Sequence, residues 1–234
     1  MKGVLLDINP NLKIIDISHE IPKFNVRRAA IVLAQASSFF PRGTVHVAVV
    51  DPGVGTLRAP LIIKTKRYFF VGPDNGVLSI AAEKDGILCA YQIDEGRYVF
   101  ADRSHTFAGR DIFAPVAAYI SRGIPLKKLG REIESIKNIS FNEPKRSGNQ
   151  IDGEVLMIDS FGNIITNIDA QMIKDLKIGQ IIPIKIGRKM LRVPFLRTYG
   201  DVEKGKPLAL IGSSNLLEIG LNQGNISRLL RVAK

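Results

Sequence analysis

Thr44-Val45-His46-Val47-Ala48-Val49-Val50 runs directly into Asp51-Pro52-Gly53-Val54-Gly55-Thr56-Leu57-Arg58. The first stretch is rich in β-branched residues and shows no polar alternation, which reads as a largely buried strand of the parallel-sheet type. The second is turn chemistry. In an open α/β sheet the carboxyl ends of the strands face the ligand crevice, so Asp51 stands where a functional carboxylate belongs. Arg58 is placed to fold back across the turn towards it. The plain alternative is an Asp that hydrogen-bonds its own backbone. Neither the dinucleotide nor the Walker glycine spacing is present.

Strand and helix signals alternate on both sides of this stretch. Lys13-Ile14-Ile15-Asp16-Ile17 reads as a short strand after the turn residues Asn9-Pro10-Asn11. Asn25 caps a helix expected over 26–39, with Val26, Ala29, Ala30, Leu33 and Ala36 near helical spacing, and Pro41-Arg42-Gly43 stops it. Two further strands are expected at 61–63 and 67–71 around the polar Lys64-Thr65-Lys66. A short helix follows Gly72-Pro73-Asp74-Asn75-Gly76, and another covers 110–121. Strand, helix and strand at these spacings predict an N-terminal α/β domain with a mostly parallel sheet, over 1–141. Composition shifts at the polar stretch 142–150. Beyond it, short strands at 153–158, 163–168, 181–186 and 208–211 are punctuated by Gly and Pro. They predict a small β-barrel or sandwich domain over 151–234.

Length and composition narrow the function classes. The chain has 234 residues, 45% of them hydrophobic and 24% charged, the balance of a globular protein. A single cysteine, Cys89, excludes an internal disulfide framework and a multi-cysteine zinc site. The histidines His19, His46 and His105 are scattered, and no cluster has metal-ligand spacing, so no metal and no cofactor are expected. No run approaches the ~18 apolar residues of a membrane span. The opening residues lack the basic, apolar and small-residue succession of a secretory leader, so a cytoplasmic location is expected. The net charge of +11 leaves nucleic acid open as a partner. The basic residues, however, are dispersed over different elements with little aromatic interleaving, so no nucleic-acid partner is expected.

Three further loops concentrate polar side chains beside glycines. Gly72-Pro73-Asp74-Asn75-Gly76 reads first as a turn, with a ligand loop as the lesser reading. Ser104-His105-Thr106-Phe107-Ala108-Gly109-Arg110-Asp111 lies at a helix start, where backbone amides favour acceptor groups. Asp111 there also suits the helix dipole without any function. Asp159-Ser160-Phe161-Gly162-Asn163 offers a carboxylate, an aromatic face and an amide that both donates and accepts, which suits a purine edge. Its plain reading is a hairpin turn.

Taken in order, Asp51-Pro52-Gly53-Val54-Gly55-Thr56, Gly72-Pro73-Asp74-Asn75-Gly76, Thr106-Phe107-Ala108-Gly109-Arg110-Asp111-Ile112-Phe113-Ala114-Pro115, Phe161-Gly162-Asn163-Ile164-Ile165-Thr166-Asn167-Ile168 and Ser213-Ser214-Asn215-Leu216-Leu217-Glu218-Ile219 resemble the S-adenosylmethionine hydrolase family. Its members are also called S-adenosylmethionine hydroxide adenosyltransferases and are relatives of fluorinating and chlorinating enzymes. The resemblance spans the chain. It implies attack of water or hydroxide on the 5′ carbon of S-adenosylmethionine, giving adenosine and methionine without a cofactor. It also implies a homotrimer, with the ligand between the N-domain of one subunit and the C-domain of its neighbour.

Carried over residue by residue, the resemblance makes Asp51 and Arg58 members of the water-activating set. It places Phe24 against the nucleoside, Asp159 on the methionine amine, and Phe161 and Asn163 on the adenine. Ser213 and Ser214 hold the methionine carboxylate, and Asp74, Asn75 and Gly109 line the same pocket. The halogenating relatives have an uncharged residue at the Asp51 position, so Asp51 with Arg58 favours water over halide. Two departures stand out. Ala108 occupies the position of a histidine that precedes Gly-Arg-Asp in the family, with His105 as the nearest substitute. Family members also carry a further stretch before Lys2-Gly3, holding the first strand and a ribose-gripping Asp, so that strand is expected to be absent. Ala108 keeps a second reading alive, a family member that binds S-adenosylmethionine or adenosine without turnover.

Overall fold

The computed structural model describes residues 1–94, 96–102 and 104–232. The chain divides into two compact units, Met1–Ile139 and Ser140–Lys234. The helices of the first unit are α1 (Lys2–Ile8), α2 (Val26–Ser37), α3 (Ser79–Asp85) and α4 (Ala114–Ser121). Its strands are β1 (Val45–Val47), β2 (Pro60–Thr65), β3 (Phe69–Pro73), β4 (Ile87–Ile93) and β5 (Gly130–Ile133). They form one five-stranded sheet in the order β1-β3-β2-β4-β5.

Alternation along β2 builds the layers. Leu61 and Ile63 enter a cluster with Ala29 and Leu33 of α2, Ala81 and Ala82 of α3, and Tyr68 and Phe70. Ile62, pointing the other way, enters a second cluster with Val71, Ile93 and Phe113, Val116, Ala117 and Ile120 from the α4 side. A strand whose neighbours are buried on both faces reads as a continuous apolar run, and Leu61-Ile62-Ile63 is one. Each such side chain contributes about 1.5–3 kcal/mol by leaving water. Asn25 caps α2 as its sequence predicts, its side chain accepting from the Arg28 amide at 3.0 Å.

Two expectations are corrected here. The sheet is mixed rather than mostly parallel: β1 and β3 pair parallel, while β3 with β2, β2 with β4, and β4 with β5 are antiparallel. The cause lies in the link between β2 and β3. Parallel neighbours need a crossover of a dozen or more residues, and Lys66-Arg67-Tyr68 is only long enough for a hairpin, closed by the Thr65 amide on the Tyr68 carbonyl at 2.9 Å. Residues 13–17 form no strand, and Ile15 is exposed. β-propensity makes a strand only where a neighbour supplies the ladder, and none flanks them among the described residues.

The second unit is β-rich. A four-stranded antiparallel sheet, ordered β12-β13-β9-β8, comprises β8 (Val155–Ile158), β9 (Ile164–Asp169), β12 (Pro207–Ile211) and β13 (Leu216–Leu221). Two hairpins accompany it: β6 (Lys145–Ser147) with β7 (Gln150–Asp152), and β10 (Ile181–Ile186) with β11 (Lys189–Pro194). A short helix, α5 (Ile226–Leu230), is capped by the Asn225 side chain. Ile182, Val193 and Phe195 of the second hairpin pack on Ile168, Ala209 and Leu217 of the sheet. No closed barrel is found among the described residues. The second hairpin meets the sheet through side chains and one bridge, Phe195 with Ala209. Pro183 and Pro194 in that hairpin lack the N–H that a continuous ladder requires.

Candidate active site

Asp51 leaves the end of the β1 segment, which runs on as extended chain to Val50, with the Ala48 amide still bonded to the Val71 carbonyl at 3.1 Å. Arg58 does fold back. Its Nε donates to Asp51 Oδ1 at 3.0 Å and its Nη2 to Oδ2 at 2.5 Å, a two-pronged grip. Both side chains are buried, 9% and 5% exposed for Arg58 and Asp51. The guanidinium also lies over the Phe113 ring, 5.4 Å from its centre. A buried carboxylate held at both oxygens, with an aromatic wall behind its partner, has a fixed orientation.

Asp74 and Asn75 are drawn to the same strand end. The Asn75 side chain donates to the Val50 carbonyl at 2.8 Å and accepts from the Val77 amide at 3.1 Å. The Asp74 amide donates to the Ala59 carbonyl at 2.8 Å, so this turn brackets the 51–58 loop at both ends. Asp74 Oδ1 accepts from the Lys137 amide at 2.7 Å, which ties down the chain leaving the sheet. Gly72 permits the approach. A Cβ there would sit 2.4 Å from the Ala48 carbonyl oxygen, closer than any side chain tolerates.

Gly109 opens a π-helical turn, Gly109–Phe113, that leads into α4. Such turns recur at functional sites because they re-aim a few side chains within a helix. A Cβ on Gly109 would lie 3.7 Å from Val49, immediately before the Asp51 loop. Asp111 is fully buried. It accepts from Arg110 Nε at 2.5 Å and Nη2 at 2.9 Å, and from the Ser104 amide at 2.8 Å, so it braces the 104–111 loop. Ala108 points into the apolar cluster with Val49 and Val54 at its edge, and His105 is exposed. The His105 carbonyl lies 3.3 Å from a Cβ position on Gly55, so this loop and the 51–58 loop touch. Phe24 stands apart from these contacts. It is 75% exposed and carries a φ of 66°, which a bulky residue adopts only under constraint.

In the second unit, Asp159 organises its own loop. Its Oδ1 accepts from the Phe161 amide at 2.9 Å and the Asn163 amide at 2.8 Å, and its Oδ2 accepts from the Asn163 side chain at 3.0 Å. Phe161 is thereby presented to solvent, 75% exposed, while Asn163 is buried. Gly162, at φ 92°, packs flat against Asn225, where a Cβ would fall 2.1 Å from the carboxamide carbon. Ser213 and Ser214 form the turn between β12 and β13, closed by the Gly212 amide on the Leu216 carbonyl at 2.9 Å.

Sequence reasoning passed over Tyr199 and Glu218. The Tyr199 hydroxyl donates to Glu218 Oε1, and the Tyr199 ring packs at Gly220, beside the Asn163 carboxamide. The available signal was a lone carboxylate in the otherwise apolar run Leu216-Leu217-Glu218-Ile219. Among the described residues, no group of three or more His, Cys, Asp or Glu side chains is arranged to hold a metal ion. No described helix is long and apolar enough to cross a membrane.

A carboxylate with a guanidinium at a strand end, beside a glycine-opened helix, defines an α/β protein with a polar site suited to orienting a small nucleophile. The SAM hydroxide adenosyltransferase N-terminal domain matches residues 1–130, and the C-terminal domain of the same name matches residues 153–234. The chain belongs to the SAM (S-adenosylmethionine) hydroxide adenosyltransferase family. It is 41% identical to a Methanocaldococcus jannaschii protein named (R)-S-adenosyl-L-methionine hydrolase, over 99% of this chain and 86% of that one. A fluorinase of Actinoplanes is more distant, 26% identical over 94% of this chain and 85% of its own. A crystal structure of an uncharacterized conserved protein from Thermotoga maritima superposes with a TM-score of 0.94 at 40% identity. It is matched over 90% of its length by the whole of this chain.

Proposed function

We propose that the protein hydrolyses S-adenosylmethionine to adenosine and methionine. The observation that carries the reading is the buried, two-pronged pair of Asp51 and Arg58 at the strand end. In the reaction, a water oxygen forms a bond to the 5′ carbon while the bond from that carbon to sulfur breaks. The electron pair goes to the sulfonium, which leaves as the neutral thioether of methionine. The leaving group needs no activation, so the tasks left to the protein are alignment and proton removal.

Asp51 orients the water and takes its proton. Arg58 holds the carboxylate in place and balances its charge as the hydroxide character of the nucleophile develops. Asn75, Asp74 and Gly109 shape the surrounding pocket, and Phe24 offers an exposed aromatic face to the nucleoside. Phe161 and Asn163 take the adenine, Asp159 the ammonium group, and Ser213 and Ser214 the carboxylate of the methionine half. A negative Asp51 repels halide, so water is the nucleophile. The reading includes assembly as a homotrimer, the Asp51 half of one subunit serving the Asp159 half of a neighbour.

Ala108 favours a second reading, because a methyl group turned into the apolar cluster neither donates nor accepts a proton. On that reading the protein binds the nucleoside without turnover. Incubation with S-adenosylmethionine in ¹⁸O-labelled water separates the two. Hydrolysis places the label in the 5′ hydroxyl of released adenosine and leaves methionine unlabelled. Binding of the ligand with no adenosine above the uncatalysed background establishes the second reading instead.

A further inference from the structure

Glu218 lies on β13 between Leu217, which packs into one apolar cluster of the second unit, and Ile219, which packs into another. Strand alternation turns Glu218 and Gly220 to the opposite face. On that face the Tyr199 hydroxyl donates to Glu218 Oε1. The second oxygen, Oε2, lies under the turn carrying Ser213 and Ser214, 2.4 Å from where a Cβ on Gly212 would stand. The Tyr199 ring in turn occupies the space over Gly220, 2.6 Å from its Cβ position, and the Asn163 Oδ1 lies 3.0 Å from that same point. One hydrogen-bonded pair therefore lies beside both ends of the half-site, with the Tyr199 ring and the Asn163 carboxamide flanking Gly220 and Glu218 Oε2 under the Gly212 turn.

We propose that Tyr199 and Glu218 are positioning residues of this half-site, their hydrogen bond fixing how far the Asn163 carboxamide stands from the Ser213 and Ser214 turn. The inference rests on the reading of the site given above, in which those two ends meet the adenine and the amino-acid carboxylate of one substrate. A rigid spacer between them sets the length of ligand that fits, which is a matter of binding rather than of bond breaking.

The electrostatics suit a fixed strut. Burial pushes the Glu218 carboxyl up, the nearby Asp159 carboxylate pushes it the same way, and the Tyr199 hydrogen bond opposes both. Burial and then the bond to Glu218 raise the Tyr199 hydroxyl far above the ordinary phenol range, so it stays a donor at every working pH. Thr198 and Asp201 hold the turn that carries Tyr199 through reciprocal side-chain caps, which fixes the strut's far end.

The test is a KM and kcat comparison for S-adenosylmethionine in Tyr199→Phe, Glu218→Ala and Glu218→Gln, with dissociation constants for S-adenosylmethionine and adenosine measured by calorimetry on each. Tyr199→Phe and Glu218→Ala are expected to raise KM about tenfold while kcat stays within about twofold. Glu218→Gln keeps an acceptor for the Tyr199 hydroxyl and is expected to stay within about threefold of the parent KM. Unchanged KM in Tyr199→Phe, or a collapse of kcat with KM unchanged, overturns the proposal. A merely structural role would lower the melting temperature of all three and leave KM alone, which overturns it too. If the parent binds the ligand without turnover, the dissociation constants take the place of KM and the same expectations hold. A parent that binds neither ligand overturns the reading of the site itself, and this proposal with it.

Discussion

Arg58 meets Asp51 with two nitrogens on two oxygens, 3.0 and 2.5 Å, across the tight turn that ends the β1 segment. Both side chains are almost out of water, so the pair is a structural unit as well as a chemical one. Removing one partner strands a buried charge, at a cost of about 3–5 kcal/mol, whereas removing both with groups of similar shape is close to neutral. Asp51→Asn and Arg58→Met are each expected to lower the melting temperature, and the double variant to recover most of that loss. Activity should behave differently. All three variants are expected to lose about 10²–10⁴-fold in kcat, measured as adenosine release. Recovery of stability without recovery of turnover separates the fold's need for the pair from the reaction's.

Ala108 tests the role of a base at the loop beside Asp51. Its side chain enters the cluster containing Val71 and Phe113, with Val49 and Val54 partly buried against it. A histidine there must push into packed atoms, which costs about 1–3 kcal/mol. Ala108→His is therefore expected to melt at a lower temperature and yet to raise kcat, by up to about 10²-fold, with the gain growing as pH rises through the imidazole range. Stopped assays across pH 5–9, beside a melting curve, read both effects. Lower stability with no gain in kcat means that the position supports packing alone.

A site divided between neighbouring copies makes a quantitative prediction about mixed assemblies. Asp51→Asn and Asp159→Ala disable different halves. Co-expressed in equal amounts, they are expected to give about a quarter of parental activity, since one pairing in four at a cyclic interface joins two intact halves. If each chain builds its own site, the mixture has only the residual activity of the single variants. Light scattering on the same samples tests the proposed trimer.

The continuous apolar runs were enough to read the layers of the first unit, because a strand buried on both faces announces itself and Asn25 before an amphipathic run announces a helix start. Strand direction was not read correctly, although the shortness of the link between β2 and β3 already dictated a hairpin. The 13–17 run shows the opposite failure: its β-branched residues state a preference, but only a neighbour makes a ladder. At the site, Asp51 and Arg58 were legible because a turn brings residues seven apart together. The approach of Tyr199 to Glu218 was not, since it depends on a turn in one part of the second unit meeting a strand in another, and no local spacing encodes that. Asp111 stands in the first turn of the Gly109–Phe113 segment, as its sequence position suggests, and what the sequence did not show is that it is also a buried brace for the 104–111 loop.

Gly162 is expected to be intolerant of any side chain. At φ 92° an alanine is strained, and its Cβ would collide with the Asn225 carboxamide that caps α5. Gly162→Ala should cost the strain and the cap together, about 2–4 kcal/mol, seen as a drop in melting temperature. Because the same loop presents Phe161 and Asn163, KM for S-adenosylmethionine should rise in parallel. Asn225→Gly, which loses the side-chain cap but opens space, is expected to relieve part of the defect when combined with Gly162→Ala.

His46 gives the fold its own pH dependence. The ring is 3% exposed, stacked on Phe70 at 5.1 Å and boxed by the edges of Phe40 and Tyr68, and its Nε2 has no hydrogen-bond partner among the described residues. Burial among these rings pushes it down to about 4, against an opposing pull from Asp85. In the unfolded chain the imidazole takes up a proton near its ordinary 6.5. Between those two values the unfolded state binds a proton that the folded state refuses, so stability falls as pH drops through this window and gains nothing more above it. Below the lower value both states are protonated and the loss from this residue levels off at about 3 kcal/mol. Urea unfolding at intervals from pH 7.5 to 4 should show that decline, and His46→Phe, which keeps an aromatic ring in the box, should remove His46's share of it. An equally steep decline in His46→Phe would assign the acid sensitivity to the carboxylates.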